Sequence, residues 1–336
     1  MNWKEESVLV TGGTGSFGRK FVEVMLRDYH PRPLIVFSRD ELKQHEMRAS
    51  GIDHASLRYL LGDVRDLGRL ERAFAGVTTV VHAAAIKQVP VCEDNPFEAI
   101  QTNITGCRNV IDAAMNQGVE RVLALSTDKA VNPINLYGAT KLCGEKMFVQ
   151  ANAFVRGSEA HFSCARYGNV VGSRGSVIPI FLEQRKRGKI TLTDRRMTRF
   201  CITLDQGVQF VIRCLEGMYG GEIFVPKLPS MRLAELAEVA ARGCEIQDIG
   251  IRPGEKLHEV LVSEDEARNT VELDNMYVIQ PPHSWWNGQN WAEARPLAEG
   301  FRCASDTNSN WLTKQELTEL VAAEENHESD RLHPVP

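Results

Sequence analysis

Two stretches of this chain hold side chains that could do chemistry together. Tyr137-Gly138-Ala139-Thr140-Lys141 sets a phenol and an ammonium four residues apart, which on a helix puts both on one face. A lysine cation beside a tyrosine favours the phenolate and draws its pKa down from about 10. Such a phenolate can take a proton from a hydroxyl while hydride leaves for a nicotinamide ring. Just upstream, Ser126-Thr127-Asp128-Lys129 adds hydroxyls, a carboxyl and an amine. The second stretch runs Val10-Thr11-Gly12-Gly13-Thr14-Gly15-Ser16-Phe17-Gly18. Gly13, Gly15 and Gly18 match G-x-G-x-x-G, and Gly12, Gly15 and Gly18 give the wider G-x-x-G-x-x-G spacing. Glycines there let the backbone turn tightly and approach a pyrophosphate at a helix N-terminus. The plain alternatives are a buried tyrosine on an apolar helix and an ordinary loop.

These groups need a scaffold, and the apolar pattern supplies one. Short apolar runs at residues 7–10, 34–37, 59–61, 77–85, 122–125 and 161–167 alternate with helical patterns. Runs of that kind fit strands buried on both faces of a parallel sheet. The expected fold is α/β, a doubly wound parallel-sheet Rossmann fold, with ligands at the carboxyl ends of the strands. The glycine turn then follows the first strand, and the Tyr-x-x-x-Lys helix follows the fifth. After residue 168 the alternation fades, and residues 252–255 read as a turn. We expect an NADP-binding domain over residues 1–168, with later segments at about 200–225 returning to it. Residues 169–320 then form mainly a smaller substrate lobe. The polar, proline-bearing tail at 323–336 is expected to fray.

Composition narrows the functional class. The 336 residues are 43% hydrophobic and 25% charged, which excludes a disordered or fibrous chain. Net charge is −5, from 39 basic and 44 acidic residues, so nucleic acid is not an expected partner. The longest apolar run, residues 77–86, falls short of the roughly 18 residues a membrane span needs. Residues 1–6 are charged and lack the apolar core of a signal peptide. Eight scattered cysteines form no Cys-x-x-Cys pair, so neither a metal site nor a disulfide framework is expected. A cytoplasmic protein without membrane contact follows.

The end of the second strand bears on the cofactor. An NAD site normally has an acidic residue there for the ribose hydroxyl. This chain has Ser38-Arg39, with Lys43 a helical turn on, and a guanidinium suits a 2′-phosphate. NADP is therefore the expected cofactor, with Asp40 leaving NAD open and a solvated surface charge the alternative for Arg39.

Taken together, TGGTGSFG, YGATK, the HAAA of 82–85 and Asn103-x-x-Gly-x-x-Asn109 resemble an extended short-chain dehydrogenase/reductase. SRDELKQHEM, AAAIKQVP, STDKAVNPINLYGATK, RYGNVVGSRGSVIP, MTRFCIT and RPGEKLHE narrow the likeness. They resemble the UDP-N-acetylglucosamine 4,6-dehydratases that invert C5, the family opening pseudaminic-acid biosynthesis. The likeness runs from about residue 4 to about 320, including YVIQP and SDTNSNWLTKQEL. Many sugar-nucleotide dehydratases have Asp-Glu where this chain has Asp128-Lys129. Larger membrane-anchored relatives often have Met in place of Tyr137.

The resemblance implies a lyase acting on UDP-N-acetylglucosamine. Oxidation of C4 acidifies the C5 proton, an acid and a base expel the C6 hydroxyl as water, and hydride returns to C6. On this likeness Tyr137 is the C4 base, Lys141 its partner and ribose anchor, Asp128 the acid at C6 and Lys129 the base at C5. Thr127 would hydrogen-bond the C4 oxygen, or merely finish a strand. A neutral Lys129 near pH 7 requires its pKa to fall by about three units, through desolvation or the neighbouring Lys141. Gly12, Thr14, Gly15, Ser16, Phe17, Gly18, Ser38, Arg39 and Lys43 would line the cofactor. Asp63 would accept from the adenine amine, or serve a turn, with Val64 beside it. Ala83, Ala84 and Ala85 are small enough to let the cofactor pass. Lys87, Asn169, Arg199, Arg252, Glu255 and Lys256 are the candidates for sugar, diphosphate and uridine. Trp285, Trp286 and Trp291 are open to two roles, packing the lobe or a subunit contact, and the resemblance suggests a homo-oligomer. A UDP-sugar 4-epimerase, or a non-catalytic NADP-binding protein of the same fold, is the rival reading.

Overall fold

The computed structural model describes residues 1–155, 160–173 and 175–332. Six parallel strands make its centre: β1 (Val8–Thr11), β2 (Leu34–Ser38), β3 (Leu57–Leu61), β4 (Thr79–His82), β5 (Arg121–Thr127) and β6 (His161–Tyr167). They lie side by side in the order β3-β2-β1-β4-β5-β6. That order reverses direction between β1 and β4, opening a crevice at the strands' carboxyl ends. Every residue of β1, β2 and β4 is buried, as expected of strands covered on both faces.

The chain returns to this sheet more extensively than expected. Strand Ile223–Pro226 pairs parallel with β6, and the helix Leu204–Gly217 packs on the helix Ser16–Val24. Lys20 meets Asp205 at 3.0 Å there, and Trp3 Nε1 donates to Glu216 at 2.7 Å. Beyond the expected 200–225 segment, Met276–Ile279, Thr270–Glu272 and Arg295–Pro296 extend the sheet antiparallel. The physical reason is the edge: without them, Ile223–Pro226 would present unpaired backbone groups.

The smaller lobe has its own core. Ile178, Phe181 and Leu182 pack with Ile190, Leu236, Ala240, Leu317 and Val321. Leu317 and Val321 belong to a helix that runs on past residue 323, which corrects the expectation of a tail fraying from there. A helix spans Lys314–Leu332, anchored by those buried side chains and by the pairing of Arg185 and Arg242 with Glu325, both at 2.6 Å. Residues 333–336 of the expected tail lie outside the described residues. Among the described residues, no helix is long and apolar enough to cross a membrane.

Candidate active site

The carboxyl ends of β1, β2, β4, β5 and β6 face a cleft of about 1650 Å³ between the two lobes. A single small-molecule site usually occupies roughly 300–1,000 Å³, so this cleft has room for two ligands. β5 ends on Thr127, and the chain then makes a 3-10 turn, Asp128–Ala130. Thr127 Oγ1 donates to Asp128 Oδ1 at 2.9 Å, and Lys129 Nζ donates to the same oxygen at 3.0 Å. Asp128 is fully buried, and its Oδ2 has no hydrogen-bond partner among the described residues.

The tyrosine helix is set against this turn by backbone contact. Asn135 caps the helix Leu136–Ala151 by accepting from Gly138 N at 2.8 Å. A Cβ on Gly138 would lie 2.1 Å from the Lys129 carbonyl oxygen, so glycine is required where helix and turn touch. Tyr137 is buried, and burial pushes its hydroxyl up to about 12, against the lowering pull of Lys129. The expected lowering by Lys141 is not found, because Lys129 is the cation that acts on the phenol. Lys141 is itself buried and lines the cleft, and its ammonium makes no hydrogen bond or ion pair with the described residues.

The smaller lobe supplies a second carboxylate to this corner. Glu259 Oε1 stands 3.2 Å from Lys129 Nζ, and Glu259 is only 2% exposed. Burial works to lower the Lys129 ammonium, but Asp128 and Glu259 together outweigh it and hold the group above its ordinary value. The expected fall of about three units is thus corrected: without substrate, Lys129 is a charged, doubly paired ammonium. The 252–259 segment is tied down at two further points. Asn135 Nδ2 donates to Gly254 O at 2.7 Å, and Lys256 Nζ donates to Val131 O at 2.5 Å.

Other expected sugar-end residues fall into two groups. Lys87, Asn169, Arg252 and Glu255 line the cleft. Asn169 Oδ1 is buried without a partner among the described residues, and Arg252 pairs with Glu255 at 2.7 Å. Arg199 also borders the cleft, but its guanidinium is committed elsewhere. It donates to the carbonyls of Thr198, Leu257 and Lys256 at 2.7–3.0 Å, so it holds the 256–259 backbone rather than presenting a free fork to a diphosphate. Lys256, spent on Val131 O, is likewise a tie between lobes.

The cofactor end is made of backbone at close quarters. Gly12 has φ +64°, and a Cβ on it would lie 2.9 Å from Ala84 Cα. A Cβ on Gly18 would lie 2.4 Å from Gly13 Cα. Gly15 caps the helix that begins at Ser16. Thr14 and Ser38 hydroxyls meet at 2.9 Å, joining the turn to the end of β2. Ala83, Ala84, Ala85, Val64 and Phe17 complete the wall. A bare glycine turn, a helix N-terminus and the unpartnered Lys141 ammonium fit a nicotinamide dinucleotide. Asp63 is engaged by Arg65, which donates through N, Nε and Nη2 at 2.8–3.0 Å, so its turn role is the one the structure displays. Arg39 is 57% exposed in its side chain and lies 3.7 Å from Asp63. Asp40 caps the next helix through Lys43 N and pairs with Lys43 Nζ at 2.7 Å.

Four residues to which the sequence assigns no specific role shape the site. Glu259 is the last residue of the RPGEKLHE run, whose resemblance gives roles only to Arg252, Glu255 and Lys256. Asn103 accepts from Ile86 N and donates to Ile86 O, both at 2.9 Å, and reaches Thr140 Oγ1 at 3.0 Å. It thereby staples the alanine loop to the tyrosine helix from within a π-helical turn, Gln101–Thr105, the kind of local widening often found at functional sites. Arg166 is fully buried on β6 and bonds Glu145 of the tyrosine helix and Glu266 beside the returning strands at 2.6–3.1 Å. Ser126 turns away to Glu145 at 2.6 Å, leaving Thr127 as the hydroxyl at the site.

Residues 8–281 match the family described as polysaccharide biosynthesis protein. A UDP-N-acetylglucosamine 4,6-dehydratase (inverting) of Campylobacter jejuni is 48% identical over 328 residues, 95% of this chain and 98% of that protein. A UDP-glucose 4-epimerase of Rickettsia conorii is 41% identical over 331 residues, 94% of this chain and 95% of that one. Among solved structures, Pen from Bacillus thuringiensis superposes with a TM-score of 0.89 at 38% identity, covering 97% of this chain and 99% of its own.

Proposed function

The chain belongs to the polysaccharide biosynthesis protein family and to its inverting UDP-N-acetylglucosamine 4,6-dehydratases, and from that premise we propose that it dehydrates UDP-N-acetylglucosamine to the 4-keto-6-deoxy sugar nucleotide with C5 inverted. The observation that carries the proposal is the pair of buried Asp128 and part-exposed Lys129 beside Tyr137 at one end of the two-ligand cleft. Dehydration needs an acid at C6 and a base at C5, whereas exchange of configuration at C4 needs neither. A nicotinamide dinucleotide, its pyrophosphate held by the glycine turn, would supply a reversible hydride acceptor for C4 and donor for C6. Tyr137 takes the O4 proton, with Thr127 holding the oxygen. Lys129 takes the proton from C5, and Asp128 gives one to the departing C6 hydroxyl. Lys141 anchors the cofactor ribose, while Lys87 and Asn169 meet the sugar or its diphosphate. Arg252 and Glu255 stand at the rim for the diphosphate and uridine.

We read the cofactor as NADP. Asp40 is spent as a helix cap and on Lys43, so it is not free for a ribose hydroxyl, while the exposed Arg39 guanidinium suits a 2′-phosphate. The cytoplasm is the proposed place of work, and a route to a pseudaminic-acid-type sugar the proposed use. A homo-oligomer is the proposed assembly. Its support is apolar surface near the tyrosine helix, where Phe97 is 80% exposed with Val91 and Ile100 close by in sequence; sedimentation velocity tests it.

The deciding experiment incubates the protein with NADP and UDP-N-acetylglucosamine in deuterated water. Loss of one water with deuterium at C5 is the expected result. A product that is only the C4 epimer would establish the epimerase activity named for the Rickettsia relative, and no turnover would leave a binding protein.

A further inference from the structure

The Asp128–Lys129 pair is not a pair in this structure but part of a three-member chain. Glu259 enters from the other lobe, buried, with Oε1 at 3.2 Å from Lys129 Nζ. Every charged group facing it can be named. Lys129 and Asp128 come from the turn after β5, Arg199 from the strand Thr198–Ile202 at 4.0 Å, and Lys256 from its own segment at 3.9 Å. Arg199 directs its hydrogen bonds to backbone carbonyls and to Met197 Sδ, and Lys256 to the Val131 carbonyl. Lys129 is therefore the cation that approaches Glu259 most closely.

We propose that Glu259 is a positioning residue for the elimination: it holds Lys129 Nζ in place and carries the countercharge of the ammonium that forms when Lys129 takes the C5 proton. The proposal rests on the dehydratase function above. The proton count closes without bulk solvent. One proton passes from Lys129 Nζ to Asp128 Oδ1 across their 3.0 Å hydrogen bond, giving a neutral amine and a neutral acid at once. The amine then takes the proton of the C5–H bond, whose electrons form the C5–C6 double bond. The C6–O bond breaks, and its oxygen takes the Asp128 proton and leaves as water. Asp128 and Lys129 finish as carboxylate and ammonium, as they began, with Glu259 anionic throughout. A buried carboxylate that orients a base and supports its conjugate acid is the arrangement used by hydrolytic triads.

The test compares wild type, Glu259→Asp and Glu259→Gln, each loaded with NADP, in kcat/KM for dehydration against pH. The pair works while it holds one proton between Lys129 and Asp128, so loss of that proton to solvent sets the alkaline limb, and removing a neighbouring carboxylate makes the ammonium give it up at lower pH. The alkaline limb should therefore move down by about one unit or more in Glu259→Gln, while the plateau rate falls about 100-fold. Glu259→Asp keeps the charge but withdraws it by one methylene, and should fall between the two in both measures. Burst formation of reduced nicotinamide on mixing, which reports C4 oxidation alone, should persist in all three. A stationary limb, or equal profiles for the Asp and Gln variants, overturns the inference. Wild type that forms no dehydrated product at any pH overturns the dehydratase function instead, and this inference with it.

Discussion

Around Gly12 and Gly18, backbone meets backbone at distances no Cβ permits; around Lys129, charged side chains reach across from a second lobe. The cofactor end is made by leaving atoms out. Its close approaches, at Gly12 to Ala84 and Gly18 to Gly13, are steric and insensitive to charge. The sugar end is made by balancing charges, with Asp128, Lys129, Glu259, Arg199 and Lys256 buried or nearly so within one corner. A steric cradle tolerates few substitutions but needs no titration. An ionic corner can change its protonation during a reaction, at the cost of desolvating each charge. Binding and proton transfer are thus divided between two kinds of construction.

Four substitutions probe that division, taken from the largest effect down. Lys129→Ala should lower dehydration about 1,000-fold while leaving the NADP titration unchanged; weakened NADP binding would blur the boundary between the two ends. Gly18→Ala should destabilise the fold by about 3 kcal/mol in a denaturant melt, since its Cβ would fall on Gly13, and should weaken dinucleotide binding. Normal stability there would refute the steric account of the turn. Arg39→Ala should weaken NADP about tenfold and leave NAD nearly unaffected, as loss of one charged hydrogen-bond partner implies; equal losses for both would remove the 2′-phosphate assignment. Asn135→Ala should cost about 1 kcal/mol of stability as a lost helix cap. Because the same side chain ties Gly254, it should also raise KM for the sugar nucleotide more than that for NADP.

The same contrast explains what is legible in the sequence. The glycine turn is local: its strand, its spacing and its helix lie within residues 8–24, so pattern alone names its residues. Tyr137 and Lys141 are four residues apart on one helix and equally local. Glu259 meets Lys129 only because the other lobe folds back against the turn after β5, and no local pattern marks that encounter. The charge of Lys129 escapes the sequence for the same reason: desolvation follows from a buried loop, but the second carboxylate comes from 130 residues away (259 against 129). Residue type alone makes Arg199 a cation for the diphosphate, whereas its donors are fixed by the carbonyls that happen to surround it. Residues 323–332 read as a tail that frays because their composition is polar, but they continue a helix whose Leu317 and Val321 a neighbouring core claims.

The strands that come back to the main sheet after residue 222 bear on how such proteins can be recombined. A fragment ending at Tyr167 would bare the flank of β6 that Ile223–Pro226 normally covers, an open edge that invites self-association. Dinucleotide and sugar halves are therefore not interchangeable cassettes. A chimera that swaps substrate preference has to exchange loops inside the threaded lobe and leave the returning strands with their own sheet.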